Sequence, residues 1–182
     1  MFKVNDFVVY NSTGVYKIID IRKDKDINGN YLDYYILEPA YGHNLTVKIP
    51  VNNHKVLMRK IISKEEVLAL IAAMPEIENV WINDDRKRYE CFKSALKTAE
   101  CREWVKIVKT MYLKKKEKMS HGKKLAKADE DIMKIAEKNM NEEFAAALNI
   151  SPDEVISYIR NESHPDKDGK NIRKNTIISI VR

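Results

Sequence analysis

The chain has 182 residues, 44% of them hydrophobic and 33% charged, with a formal net charge of +6. This balance fits an ordered globular chain with much helix and excludes an intrinsically disordered one. No apolar run approaches the ~20 residues of a membrane-spanning helix, and the opening MFKVNDFVVY has no basic start, apolar core or signal-peptide cleavage site, so a cytoplasmic protein without a membrane partner is expected.

Residues 1–62 read as short strands. FVVY is a compact apolar run, and GVYKIIDI is rich in β-branched residues behind a glycine. Asn28-Gly29 in DKDING is the strongest hairpin signal in the chain, and YLDYYILEP follows it as a strand. LTVKIPV is a further strand, which Pro50 ends or confines to an edge. KVLMRKII is the last candidate. Four or five strands with tight turns in so short a segment predict a small twisted barrel of SH3 or Tudor type. A core of that size is marginally stable alone and gains from packing on the rest of the chain.

At Ser63 the pattern changes to helix. SKEE is a capping box in which Ser63 and Glu66 satisfy each other's backbone N–H, and Pro75 closes the short helix that follows. A second helix is expected from about Asp84 to Thr98, with Tyr89, Phe92, Leu96 and Ala99 on one face. A third covers about Cys101 to Lys118, with Trp104, Val105, Val108, Met111 and Tyr112 in one stripe. SHG at 120–122 breaks the chain before a longer helix over about Lys123 to Leu148. Its inward residues are read as Leu125, Ala128, Ile132, Ile135, Met140, Phe144 and Leu148. SPDE at 151–154 opens a final helix with a second capping box and an early proline. After it come HPDKDGKN, which reads as flexible, and TIISIV, which reads as a strand or a docking end. The fold class is therefore α+β, divided into a β module at 1–62, an all-α module at 63–160 and a tail at 161–182.

Charge is unevenly distributed. Residues 86–127 hold 15 basic and 4 acidic side chains, a net +11, while 63–85 and 128–160 each carry −5. A block of one sign is the electrostatic footprint of a polyanion partner, whereas a merely solvated helix surface mixes its signs. The block opens in WINDDRKRYE, directly after Trp81. That indole is read either as a core residue packed between helices or as an exposed wedge beside phosphate-binding cations. Trp104, in mid-stripe, is assigned to the core.

Catalytic signatures are missing from the sequence. With 5 glycines and no Gly-rich phosphate loop, nucleotide chemistry has no cradle. His43, His54, His121 and His164 are scattered, and no metal-ligand spacing links them to Cys91 or Cys101. Those two cysteines are read as free thiols that help packing. The paired acids Glu65-Glu66 and Asp84-Asp85 suit helix starts. No enzyme, no metal and no cofactor are expected.

Several motifs, in order, carry a resemblance. FKVNDFVVYNSTGVYKIIDI resembles the F-x-x-G-D-x-V-V-Y-P-x-x-G opening of the CarD/CdnL family, LTVKIPVNN resembles its L-x-V-x-V-P strand, and RKRYECFKSAL resembles its R-R-x-x-x-x-L helix. GKKLAKADEDIMKIAEKNMNEEFAAAL resembles its C-terminal helices. Asn5 stands where the family has Gly and Asn11 where it has Pro, both compatible with turns. The family's wedge tryptophan corresponds here to Asp85, one helical turn after Trp81.

The resemblance implies a bacterial transcription regulator. Its Tudor-like N-terminal domain would bind the RNA polymerase β subunit, as the related domain of transcription-repair coupling factors does. Lys48 matches a basic family position for that contact, and Lys25 and Ile27 correspond in a turn of different length. The helical domain would contact promoter DNA without reading sequence and would lengthen the life of the open complex. Trp81 would wedge into the minor groove, with Arg86, Lys87, Arg88, Lys93, Lys114, Lys115, Lys116, Lys123 and Lys124 on phosphates. A nucleoid-associated monomer is expected. Two rival readings are a free-standing non-specific DNA-binding protein and a protein–protein adaptor whose basic face never meets DNA.

Overall fold

The structure, a computed structural model, describes residues 1–42, 45–53 and 56–162. The chain begins with strands β1 (Phe7–Tyr10), β2 (Gly14–Lys25), β3 (Tyr31–Pro39), β4 (Val47–Pro50) and β5 (Met58–Lys60). They form one antiparallel sheet in the order β4-β3-β2-β1-β5. This sheet is open. A barrel would need its edge strands β4 and β5 to pair, and among the described residues they do not. A register shift between Ile18 and Asp20 bends β2 where it passes from β1 to its long ladder with β3. β4 lies at an edge and ends at Pro50, a position where a missing N–H costs least. Asn5 and Asn11 have φ of 74° and 49°, so both family departures fall where the left-handed conformation is needed and asparagine tolerates it.

Among the described residues five helices follow: α1 (Lys64–Ala73), α2 (Asp85–Lys97), α3 (Cys101–Ser120), α4 (Lys127–Leu148) and α5 (Val155–Glu162). Their starts are legible in the caps. The Ser63–Glu66 box opens α1, and Asp84 accepts from the N–H of Lys87 at 2.9 Å to open α2. Single 3₁₀ turns at Met74–Glu76 and Pro152–Glu154 each hold a proline. α4 begins at Lys127 rather than Lys123, because Leu125 is buried in a non-helical segment ahead of it. The inward stripe of α4 is Ile132, Ala136, Met140 and Phe144, a strict four-residue step. Ile135, expected inward, falls off that line and faces solvent, and Ala128, expected inward too, lies on the line but in the exposed first turn of α4. The tail expected at 161–182 lies outside the described residues, except for Asn161 and Glu162 at the end of α5.

Alternation along the strands sends side chains to two separate cores. Val8, Tyr16, Ile18, Tyr35, Leu37 and Ile49 fill one face of the sheet. Val9 and Val15 point the other way, into a larger cluster built from α1 to α5 around Trp104, Ile107, Met111 and Phe144. The sheet and the helices therefore share apolar contacts. Polar bonds reinforce them. Arg59 of β5 makes a bidentate pair with Glu143 of α4, and Glu143 also accepts from the N–H of Ile62. Glu142 accepts from the N–H of Val15 at 3.1 Å, while Asn139 and Lys138 donate to the carbonyls of Ser12 and Thr13.

Candidate functional site

Trp81 lies in the irregular segment between the 3₁₀ turn and α2. Buried polar groups hold this segment from beneath. The ammonium of Lys109, on α3, donates to the carbonyls of Met74, Pro75 and Ile77 at 3.0, 2.8 and 2.6 Å. Burial pushes that ammonium below the ordinary lysine range. Thr110 Oγ1 accepts from the N–H of Val80 at 3.4 Å. At the far end, Arg88 donates to the carbonyl of Ile82 at 2.7 Å. Backbone groups that would otherwise lack partners at a chain reversal are thus satisfied by α2 and α3.

The indole is half-buried, packed against the helical core. Arg88 stacks on its ring at 4.1 Å, with Lys114 and Lys118 at 5.2 and 5.7 Å from its centroid. Such cation–π contacts fix the ring's position. Trp81 is therefore neither a fully buried core residue nor a free wedge. Trp104, in contrast, is fully buried, as its stripe predicted.

Arg88 is a correction to the phosphate-binding set. Only 2% exposed, it forms a bidentate pair with the buried Asp129 at 3.0 and 2.8 Å and also binds Asp85. Hydrogen bonding to Asp129 raises its pKa further, so it is a permanent internal cation. Its donors are committed inward, and it cannot serve an outside phosphate without breaking a buried pair. Its neighbours Arg86 and Lys87 are exposed in the first turn of α2. Cations are disfavoured by the dipole at that end of a helix, so their placement does not serve helix stability.

The remaining predicted cations fall into groups. Lys114 is half-buried and paired with Glu117 at 2.8 Å, which leaves it less free than its exposed neighbours Lys115 and Lys116. Lys115, Lys123 and Lys124 come together around a groove of about 420 Å³ between the end of α3 and the start of α4, with Met119 and Leu125 as its apolar part. Lys93 stands apart, over the Tyr89 ring at 5.3 Å, and lines a different groove. Lys109, Thr110, Lys118 and Asp129 were not anticipated. Lys109 carried a signal, because it follows Val105 by four residues and so continues an apolar stripe.

Of the predicted polymerase contacts, Lys25 ends β2, Ile27 lies in the β2–β3 turn and Lys48 is on β4. Lys48 of edge strand β4 crosses the Tyr34 ring at 4.1 Å to reach Asp24 of β2. Lys25 lies over Tyr31 at 5.4 Å. Ile27 sits at the hairpin tip, 99% exposed, and Asp26 orders that tip by accepting from the N–H groups of Asn28 and Asn30, both at 2.8 Å. An isolated, fully exposed isoleucine on an ordered turn next to an unpaired sheet edge is a surface suited to docking.

Among the described residues, no three His, Cys, Asp or Glu side chains are placed to hold a metal ion. Within the same residues, no helix is long and apolar enough to cross a membrane.

An open antiparallel sheet fastened to a helical unit whose exposed cations gather on α2, α3 and the turn before α4 defines an α+β protein. Residues 2–62 match the family model of the CarD-like/TRCF RID domain. Domains of this kind bind the β subunit of RNA polymerase. The match covers about a third of the chain and leaves the helices outside it. A comparison with curated proteins gave no match.

Proposed function

We propose that this protein is a transcription regulator that acts by binding, not by catalysis. Its Tudor-like sheet would grip the RNA polymerase β subunit through β4 and the β2–β3 hairpin, using Lys25, Ile27 and Lys48. Its helical surface would contact promoter DNA without sequence readout and stabilise the open complex. The observation that carries this reading is the RID match over residues 2–62. The +11 net charge of residues 86–127 supports the DNA part. Phosphate contacts are assigned to Arg86, Lys87, Lys93, Lys115, Lys116, Lys123 and Lys124, with Lys114 after release from Glu117. Trp81 meets the minor groove with the part of its ring that remains accessible. The protein works as a cytoplasmic, nucleoid-associated monomer.

The test is the lifetime of a polymerase–promoter open complex with and without the protein, and with Trp81→Ala. A longer lifetime that Trp81→Ala abolishes while polymerase binding persists is the expected result. An unchanged lifetime despite polymerase binding rejects the open-complex role in favour of an adaptor. Tight duplex binding without polymerase favours the free-standing reading.

A further inference from the structure

A groove of about 350 Å³ runs between α2 and α4 and ends at the β1–β2 turn, where Ser12 and Thr13 are fastened to Asn139 and Lys138. Tyr89, Leu96, Ile132 and Ile135 form its apolar part. Ile135 is 42% exposed there, off the inward stripe of α4. Lys93 and Lys97, one helical turn apart on α2, stand on one side, and Lys138 on the other. Lys138 is already paired with Glu142, but neither Lys93 nor Lys97 has a carboxylate partner among the described residues.

We propose that this groove docks an acidic segment of a partner protein, one that carries an apolar anchor residue. An apolar centre inside a charged rim is how a protein–protein contact is organised, with the centre supplying burial and the rim supplying sign. The unpaired cations of the rim fix that sign as negative for the occupant. Duplex DNA fits less well, because a phosphate gains nothing from Ile135, Leu96 or Ile132 and the backbone of a duplex cannot enter a cleft of this volume. The groove shares Lys93 with the promoter surface proposed above, but Ile135 and Lys97 lie outside the residues assigned there, so the inference does not rest on that reading.

The experiment uses the full chain, isotopically labelled, and a fluorescent synthetic peptide of about a dozen residues in which glutamates flank a Leu-Phe-Leu centre. Saturable binding is expected, with signal changes at Ile135 and along Lys93 to Lys97. Ile135→Glu should weaken it at least ~10-fold, and so should Lys93→Glu with Lys97→Glu. Replacing the peptide's apolar centre by serines should have a similar effect. Both sets of positions are exposed, and the lysine pair decides if Ile135→Glu perturbs folding. No binding at millimolar peptide overturns the proposal. Equal affinity for the serine peptide overturns it too, by reducing the effect to charge alone. A short duplex that shifts the same residues and displaces the peptide makes this a DNA surface instead. Self-association that Ile135→Glu abolishes assigns the groove to a second copy of the chain.

Discussion

Arg59 and Glu143, 84 residues apart in sequence, meet in a two-bond ion pair whose carboxylate is fully buried. The same carboxylate accepts from the N–H of Ile62, and Arg59 Nε donates to the carbonyl of Ala99 at 2.7 Å. One pair thus joins the last strand, the entry to α1, the α2–α3 corner and α4. Truncating Glu143 to alanine leaves the guanidinium without its buried partner, which costs about 3–5 kcal/mol. Chemical denaturation followed by tyrosine and tryptophan signals checks this. The loss should appear as one shared transition, and two separate transitions would contradict a common core.

Gly14 makes a second, purely steric prediction. A Cβ there would lie 2.2 Å from Glu142 Oε2, and the residue's φ of +129° is one that L side chains rarely adopt. Gly14→Ala should therefore destabilise by well over the ~1 kcal/mol of an ordinary backbone effect. It should also loosen the Glu142 bond to the N–H of Val15, read as faster hydrogen exchange at that amide.

The three consecutive bases of the second helix should separate by experiment. Arg88→Ala breaks a buried pair and should lower stability by about 3–5 kcal/mol. Arg86→Ala with Lys87→Ala should leave the denaturation midpoint unchanged. On duplex DNA that double variant should reduce the slope of log affinity against log salt by ~0.9 for each phosphate it no longer neutralises. A stable Arg88→Ala protein with a selective DNA defect would contradict the inward placement of Arg88.

The cysteines offer a fourth test. Cys91 is exposed and Cys101 buried, and both are free. Burial first, then the nearby Glu143 carboxylate, pushes the Cys101 thiol well above the ordinary range. In the native state a disulfide-forming reagent should modify one thiol quickly and the second only on unfolding. Because the folded state holds the Cys101 proton where the unfolded chain releases it, this group's contribution to stability is intact below the ordinary thiol value of 9.0. It falls as pH rises beyond that value. A Cys101→Ala variant should lose that part of the alkaline decline.

Much of this was legible in the sequence. The Ser63 and Ser151 capping boxes, the Asp84 start of α2 and the burial of Trp104 follow from local patterns that act over a few residues. Long-range pairing was not legible. Nothing near Arg88 shows that Asp129 waits 41 positions away, although Arg88 precedes Phe92 by four residues and so shares its buried face. Ile135 misled for the opposite reason. Hydrophobicity predicts which residues gain from burial, but the four-residue step of α4 had already filled that face. The sheet was expected to close into a barrel and is open instead, because strand content fixes neither register nor the fate of the edges.

The bonds that fasten the β1–β2 turn to α4 have a mechanical meaning. A flexible tether would only keep two modules near each other and let each find its own angle. A part clamped at Ser12, Val15 and Arg59 behaves instead as a bracket, because force applied to the sheet is delivered to α4 as torque. Whatever grips the β2–β3 hairpin sets the direction in which the cations of α2 and α3 point. On the function proposed above, a partner held at the hairpin would therefore present its neighbouring surface to the helices at a fixed inclination.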